Sequence, residues 1–351
     1  MRPGTTLPLF AIATLTPVIL LAFAALAGGM WIWAALIYIT GFAYSLDALA
    51  GISIDPAHPE AEFPAANRLS ITLALVHFVL LALAVWALAA GDLSGVQRLG
   101  LFMAFGLFFG QVSNSNAHEL IHRGRRGLHR LGMWVFISLL FGHHTSAHPL
   151  IHHRYAASDD DPNSARLGES YYRFAARAWV GSFRAGLAAE RARLARTGRG
   201  QWWRNPYVLY VGAGAGLIAL VFVLAGWRGA LAYIALAGYA QAQLLLSDYV
   251  QHYGLRRARL ANGKLEPVGP AHSWNAPQWF TGLVMLNAPR HSDHHAHPAT
   301  PYPALVIPAG APMLPRSLPA MATLALFPRL WRRVMDPRVA RQTGAGPDFL
   351  A

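Results

Sequence analysis

Long apolar runs separated by short polar breaks fill the first third of the chain and return after residue 206. Six of these runs reach the length of about 20 residues that a membrane-spanning helix needs. They cover residues 7–27, 30–50, 69–89, 99–117, 207–225 and 230–250. A seventh run, 131–141, is too short to cross a bilayer and is typical of a re-entrant or interfacial helix. The pattern predicts an all-α integral membrane protein built as a bundle of six transmembrane helices.

Composition supports a membrane protein rather than a soluble one. Charged residues make up 13% of the 351 residues and hydrophobic residues 54%, whereas soluble proteins carry about a quarter charged residues. The chain has no cysteine, which excludes a disulfide framework, an iron–sulfur cluster, a thiolate zinc site and a cysteine nucleophile.

The distribution of charge predicts the orientation of the helices. Residues 118–204 carry a net charge of +8 and residues 251–351 a net charge of +7, while the segments 1–117 and 205–250 sum to −2 and zero. Because cytoplasmic loops are rich in arginine and lysine, the parts at about 118–206 and 251–351 are expected in the cytoplasm, with both termini. We expect the chain 1–351 to form a single membrane-embedded domain attracted to anionic lipid. Nucleic acid is not expected as a partner, because no recognition motif accompanies the charge.

Histidine carries the chemical signal. The chain has 16 histidines, and nine of them lie at or beyond the ends of spans predicted to face the same side. His118 and His122 are four residues apart, which places both rings on one face of a helix, as a shared metal ion requires. The full set is His118, His122, His148, His152, His153, His252, His291, His294 and His295. Imidazoles are not collected at a membrane edge without a functional reason, so we expect these nine to bind metal in a cytoplasmic cap.

The number of rings favours a particular metal. Zinc usually takes four ligands, so nine imidazoles overfill one zinc site. Two octahedral ions offer about twelve positions and would leave about three open for water, dioxygen or substrate. Imidazole suits iron, and manganese prefers more carboxylate. The sequence therefore predicts two non-haem iron ions as cofactors.

Polar residues beside the rings are candidates for orienting them. A carboxylate that accepts the free imidazole N–H fixes the tautomer of a metal ligand. Glu119, Asp248 and Asp293 are predicted to act in this way, and Asn116 is predicted to hydrogen-bond within the site. The acidic run at residues 159–161 is compatible with either a solvated loop or a role at the site.

The other seven histidines lack the paired spacing of a ligand. They are His58, His77, His129, His143, His144, His272 and His297. Whether His143 or His144 joins the metal ligands is left open, because His144 would share a helix face with His148 and His152 if Pro149 did not disturb that helix.

In this order and between these spans, four motifs resemble those of the integral-membrane alkane 1-monooxygenases and their xylene monooxygenase relatives, within the wider membrane desaturase–hydroxylase group. The likeness covers essentially the whole chain. The motifs lie at residues 116–123 (NAHELIHR), 148–153 (HPLIHH), 248–255 (DYVQHYGL) and 290–296 (RHSDHHA). The chain departs from the family pattern at Ala147, at Asp248 and Gln251, and at Ala288-Pro289.

The resemblance implies a di-iron enzyme in a bacterial inner membrane. Such an enzyme inserts one atom of dioxygen into the terminal methyl group of an alkane or similar hydrophobic molecule. It also implies that electrons come from NAD(P)H through a reductase and rubredoxin. With no cysteine and no nucleotide-binding loop, this chain is expected to receive them from another protein.

Three alternatives remain open from the sequence. A fatty-acyl or sterol desaturase or hydroxylase would use the same metals on another substrate. An intramembrane zinc metalloprotease would use His118, Glu119 and His122 but would leave the other histidine clusters without a role. A metal transporter would place its ligands near the middle of the membrane, whereas these histidines lie at span ends.

Overall fold

The computed structural model describes residues 7–50, 63–90, 92–198 and 200–344. His58 lies outside these residues. Over the described part the secondary structure is helical, with two isolated β-bridges and no strand. We number the helices α1 to α12, and α6 is a run of short helical turns over residues 144–155. Their bounds are Leu7–Ala27 (α1), Met30–Leu49 (α2), Pro64–Ala90 (α3), Gly95–Ile121 (α4), Arg126–Ser138 (α5), 144–155 (α6), Tyr171–Arg196 (α7), Pro206–His252 (α8), Trp279–Val284 (α9), His291–Ala296 (α10), Leu318–Ala325 (α11) and Pro328–Thr343 (α12).

Five helices are long and apolar enough to cross a membrane: α1, α2, α3, α4 and α8. The fifth, α8, has 47 residues and contains one non-helical residue, Gly226, at φ 65°. A positive φ suits glycine because it has no Cβ to clash with the backbone. The two runs predicted at 207–225 and 230–250 lie on either side of this break. The predicted all-helical membrane architecture is confirmed, while the number of crossings stays a prediction.

Helix α4 is longer than its predicted span and carries the first histidine pair to the edge of the bundle. The hydroxyl of Ser94 accepts a hydrogen bond from the Gln97 backbone N–H at 3.3 Å, and the Gln97 side chain accepts one from the Ser94 N–H at 3.1 Å. This reciprocal cap satisfies two N–H groups that the first turn leaves free. The helix then runs to Ile121, so His118 projects from its last turn.

A buried histidine ties three helices together below the metal-ligand candidates. His77 of α3 is fully buried, and its two ring nitrogens lie 2.9 Å from the hydroxyls of Ser113 on α4 and Ser138 on α5. Both ring nitrogens are therefore satisfied by protein groups. The structure places His77 in the bundle as a structural residue, in line with its unpaired spacing.

Candidate metal centre

All nine predicted histidines come together in the structure. They form two groups, and within each group the nitrogens that could bind metal lie within 4.8 Å of one another. The first group, which we call group one, is His118, His122, His148, His153 and His294; group two is His152, His252, His291 and His295. The groups adjoin each other, since the ring centroids of His153 and His295 are 4.6 Å apart.

Group one draws on three parts of the chain. The Nε2 atom of His148 lies 2.7 Å from Nε2 of His118 and 2.9 Å from Nε2 of His153. Nε2 of His294 lies 3.1 Å from Nε2 of His153. Nε2 of His122 is buried and has no hydrogen-bond partner among the described residues. The five rings therefore turn the same nitrogen towards a common centre.

Group two repeats this arrangement with four rings. Nε2 of His291 lies 3.0 Å from Nε2 of His252 and 3.0 Å from Nε2 of His295. Nε2 of His152 is buried, and within the part of the chain described here it has no hydrogen-bond partner. The second centre thus collects the end of α8, one ring from α6 and two rings from α10.

Local helix geometry divides neighbouring histidines between the groups. Residues His148–His152 form one turn of π-helix, in which hydrogen bonds run from residue i to i+5. His148 and His153, five residues apart, meet in group one, while His152 faces group two. In α10, His291 and His295 are four residues apart and share group two. The pairs His152-His153 and His294-His295 therefore each contribute one ring to each group.

The spacing of the nitrogens fits metal ions better than hydrogen bonds. A ring nitrogen offers one proton or one lone pair, so Nε2 of His148 cannot satisfy both of its close nitrogen neighbours with one proton. Two nitrogens about 2.1 Å from one ion are about 3.0 Å apart at a right angle and about 3.4 Å apart at a tetrahedral angle. The observed separations of 2.7 to 3.1 Å match the right angle, which is typical of five- or six-coordinate ions. The residues present therefore fit two such ions.

Burial keeps most of these rings neutral, which is the form that binds metal. Burial lowers the pKa of His122 to about 3. It also holds the pKa of His148 and His153 well below the ordinary value for histidine, and nearby rings add to the effect. A neutral imidazole presents a lone pair, so the site favours a cation over protons.

His152 is the exception, and its partner, Asp161, belongs to the acidic run whose role the sequence left open. Burial lowers the pKa of His152, but the charge and hydrogen bond of the Asp161 carboxylate, together with the charge of Asp248, leave this pKa above the usual value. The Asp161 Oδ2 atom lies 2.8 Å from Nδ1 of His152. This contact holds Nδ1 protonated and directs Nε2 towards group two, which is the role of a carboxylate behind a metal ligand. The adjacency of the acidic run 159–161 to the second histidine cluster was its only sequence signal.

Two of the four residues predicted to orient the rings lie on α4 and form their hydrogen bonds with groups outside that helix. Glu119 pairs with Arg123 and accepts a hydrogen bond from the Tyr302 N–H at 3.2 Å. Asn116 donates to the Ser70 carbonyl at 2.9 Å. Successive residues on a helix are rotated by about 100°, which explains why Glu119 turns away from the face that carries its neighbour. Glu119 therefore fixes the segment after α10 against α4.

The other two predicted orienting residues also have other partners. Asp248 accepts a hydrogen bond from the Asn163 Nδ2 atom at 2.7 Å. Asp293 accepts one from Nδ1 of His297 at 2.8 Å and one from the Val306 N–H at 2.9 Å. The sequence led us to expect that each of the four residues would hydrogen-bond directly to one of the nine rings. Within the described residues, none of them does so.

The remaining described histidines lie outside both groups. His143 lies 3.3 Å from the Ser182 hydroxyl, and burial lowers its pKa to about 4. His144 stacks on the ring of His148 with centroids 4.8 Å apart but belongs to neither group. His272 contributes its backbone, because its carbonyl oxygen lies 3.3 Å from Nδ1 of His252.

A cavity lies between the histidine groups and the helix bundle, lined by residues of both. Its volume is about 610 Å³, and its wall includes three of the nine histidines: His118, His148 and His291. The rest of the wall is largely apolar and comes mainly from α2, α4, α8 and α11. Such a cavity suits a hydrophobic molecule with one end at the histidines.

Comparison with known proteins agrees with this architecture. Residues 94–319 match the family model described as fatty acid desaturase. The chain is 34% identical to alkane 1-monooxygenase 2 of Pseudomonas aeruginosa, over 91% of this chain and 86% of that protein. It is 30% identical to alkane 1-monooxygenase 2 of Alcanivorax borkumensis, over 88% of this chain and 83% of that protein. A xylene/toluene monooxygenase hydroxylase component of Pseudomonas putida is 29% identical over 67% of this chain and 63% of that protein.

Proposed function

The chain belongs to the alkane 1-monooxygenase family of desaturase-like membrane oxidoreductases, and we propose that it hydroxylates the terminal methyl group of an alkane or similar hydrophobic molecule. In the overall reaction one oxygen atom of O2 enters a terminal C–H bond. Two electrons and two protons reduce the other oxygen atom to water.

One observation carries this proposal. The apolar cavity is lined by His118, His148 and His291, so it touches residues of both histidine groups. We propose that a linear chain enters the cavity with its end, rather than its middle, at these histidines. Holding the reacting atom at a fixed position is a large part of catalysis, and this cavity favours reaction at a terminal carbon.

We propose that the nine histidines hold two iron ions, with five rings in group one and four in group two. When bound, iron with open coordination positions supplies the activation of O2. The protein residues hold the rings neutral, and Asp161 orients His152. The buried walls of the cavity exclude water from the reacting end of the substrate.

We propose that a rubredoxin and its NAD(P)H reductase supply the electrons. The chain has no cysteine for an iron–sulfur centre. Its three closely spaced glycines, Gly212, Gly214 and Gly216, lie inside helix α8 rather than in a loop that could bind a dinucleotide. Electrons must then arrive from a separate protein.

We further propose six crossings of a bacterial inner membrane, with both termini and the segments at about 118–206 and 251–351 in the cytoplasm, and one domain over residues 1–351. The two basic segments support this orientation by the positive-inside rule. The break at Gly226 supports a turn within α8, because a straight helix of 47 residues would be about 70 Å long, more than twice the bilayer core.

Metal analysis and product analysis together test the proposal. Purified protein should contain about two iron ions per chain, and with reductant, reductase and rubredoxin it should convert n-alkanes to 1-alkanols. One zinc ion per chain would overturn it, as would conversion of acyl chains to alkenes without alkanol formation from alkanes. His152→Ala and His294→Ala should each abolish turnover. His129→Asn is the matched control, because His129 contacts the Ile121 carbonyl at 2.8 Å and belongs to neither group.

A further inference from the structure

Three glutamines are among the polar residues in the largely apolar wall of the cavity: Gln111, Gln243 and Gln251, of which Gln251 precedes the histidine ligand candidate His252. Gln111 lies in the π-helical turn Phe109–Ser113 of α4, and Gln243 lies on α8. Both line the cavity. A substrate that consists of carbon and hydrogen alone cannot form a hydrogen bond with an amide in this position.

The Gln111 amide has no hydrogen-bond partner among the described residues. The residue as a whole is 9% exposed, and its amide is accessible from the cavity that it lines. Neighbouring glutamines behave differently. Gln243 donates to the Gly106 carbonyl at 2.7 Å, and Gln241 donates to the Leu139 carbonyl at 2.8 Å and accepts from the Trp179 indole at 2.9 Å.

The backbone next to Gln111 packs closely against α8. A Cβ atom added at Gly110 would lie 2.1 Å from the Gln243 amide, so the glycine lets that amide lie directly against α4. A π-helical turn inserts one extra residue into a helix and is frequent at functional sites. Here the turn includes Gln111, whose side chain faces the cavity.

A bound molecule that contains an oxygen atom could accept a hydrogen bond from the unpaired Gln111 amide. Burying an amide without a hydrogen bond is costly, whereas pairing it inside an apolar cavity recovers that loss. A plain alkane can only cover the Gln111 amide. A chain whose ether, ester, keto or hydroxyl oxygen lies beside Gln111 can accept a hydrogen bond from the N–H group of the amide.

Helix geometry gives the position of this oxygen. Gln111 precedes His118 by seven residues, which is about 10 Å along a helix at 1.5 Å per residue. An extended chain advances about 3.5 Å over three bonds, so 10 Å corresponds to on the order of eight bonds. The oxygen would lie in mid-chain, well away from the carbon that is oxidised.

We propose that Gln111 forms a polar subsite, and that the preferred substrates are alkyl chains with a hydrogen-bonding oxygen on the order of eight bonds from the terminal methyl. This proposal rests on the proposed function, because the chain end at the histidines is the reacting terminus. It adds a substrate class that combines a long apolar end with an internal oxygen.

Binding to the iron-loaded protein in lipid nanodiscs, without reductant, tests the subsite apart from turnover. Three chains of equal length serve as probes: dioctyl ether, n-heptadecane and 1-methoxypentadecane. Dioctyl ether should bind about five-fold more tightly than heptadecane, the gain expected for one hydrogen bond. 1-Methoxypentadecane, whose oxygen lies next to one end, should show no such gain. Equal affinity for all three chains would overturn the proposal.

A pair of variants tests the residue. Gln111→Leu should remove the preference for dioctyl ether and bind heptadecane more tightly than the wild type does. Gln241→Leu, on α8 outside the cavity wall, should keep the wild-type preference. If the preference survives in Gln111→Leu, the oxygen is recognised elsewhere and the assignment is wrong. The wild-type comparison stands even if a variant does not fold.

Turnover separates this proposal from the proposed function. If n-alkanes are hydroxylated but dioctyl ether has no advantage in binding, the polar subsite is wrong and the alkane monooxygenase activity stands. If dioctyl ether binds preferentially but neither chain is oxidised, the subsite stands and the activity is wrong.

Discussion

The side chain of Asp161 contacts the candidate metal centre through one ring. Its Oδ2 atom lies 2.8 Å from Nδ1 of His152 and 2.7 Å from the Ser164 hydroxyl, and its Oδ1 atom accepts a hydrogen bond from the Asn163 N–H. The Asn163 side chain in turn donates to Asp248. These contacts link the loop after α6 to the last turns of α8, so the orientation of His152 depends on both segments.

Substitution of Asp161 should weaken metal binding at group two. Asp161→Asn keeps the shape of the loop but removes the charge that favours the protonated Nδ1 of His152. We expect the affinity for one of the two ions to fall about ten-fold or more, measured by chelator competition with iron content as the readout. Asp159→Asn is the control, because its side chain is 77% exposed and lies 3.9 Å from Arg256. Equal iron retention in both variants would contradict a role for Asp161.

At the residue scale, spacing could identify candidate ligands but not their contacts. The pairs four residues apart, such as His118 with His122, are visible in the sequence because a helix repeats every 3.6 residues. His152 and His153 belong to different groups because of a π-helical turn. The hydrophobic periodicity of the sequence does not predict such a turn. The contact of Asp161 depends on a loop conformation, and the loop residues carry no repeating pattern.

At the scale of helices, the position of α4 depends on its close packing against α5. A Cβ atom added at Gly132 of α5 would lie 2.8 Å from the Ala117 carbonyl oxygen and 2.8 Å from the Leu120 Cβ atom. These atoms belong to the turn that carries His118. A glycine is therefore required where α5 crosses the metal-binding end of α4.

Gly132→Ala should disturb both stability and metal binding. The added methyl group meets backbone and Cβ atoms, which cannot move independently, so we expect a loss of about 1–3 kcal/mol in stability and lower iron occupancy at group one. Thermal unfolding in detergent and iron analysis measure these effects. Gly127→Ala in the same helix is the control, because nothing lies within 4 Å of its added Cβ. We expect that variant to be neutral or slightly stabilised, since alanine favours a helix. If the two variants behave alike, close packing at Gly132 is not required.

The sequence predicted the long apolar helices, because hydrophobic length is a strong signal for a span, but it did not predict α7, α11 or α12. The apolar span was predicted to end at residue 117, but the four-residue spacing of His118 and His122 indicated that the helix continues, and the structure extends α4 to Ile121. The sequence also missed the π-helical turns in α2, α4 and α6. An inserted residue changes which face a side chain occupies without changing the average hydropathy of the segment.

At the scale of the whole molecule, four distant parts of the chain build one centre. Rings come from α4, α6, α8 and α10, which are separated by up to 177 residues between His118 and His295. All nine histidines belong to the two basic segments predicted to be cytoplasmic. The exposed Arg154 directly follows His153 of group one.

This charge should govern the arrival of an acidic electron carrier. With a net charge of +13, the protein should attract rubredoxin, if that carrier is acidic, and raise the rate of encounter. We expect the second-order rate constant for reduction, measured by stopped flow, to fall about ten-fold as ionic strength rises from about 0.05 M to about 0.5 M, because salt shortens the range of the attraction.

Arg154→Gln should lower the rate constant at low salt and flatten its salt dependence. Arg228→Gln is the matched control, because Arg228 is also exposed but lies just after the Gly226 break, far along α8 from His252. A rate constant that does not change with salt, or equal effects of the two variants, would show that the carrier does not dock beside group one.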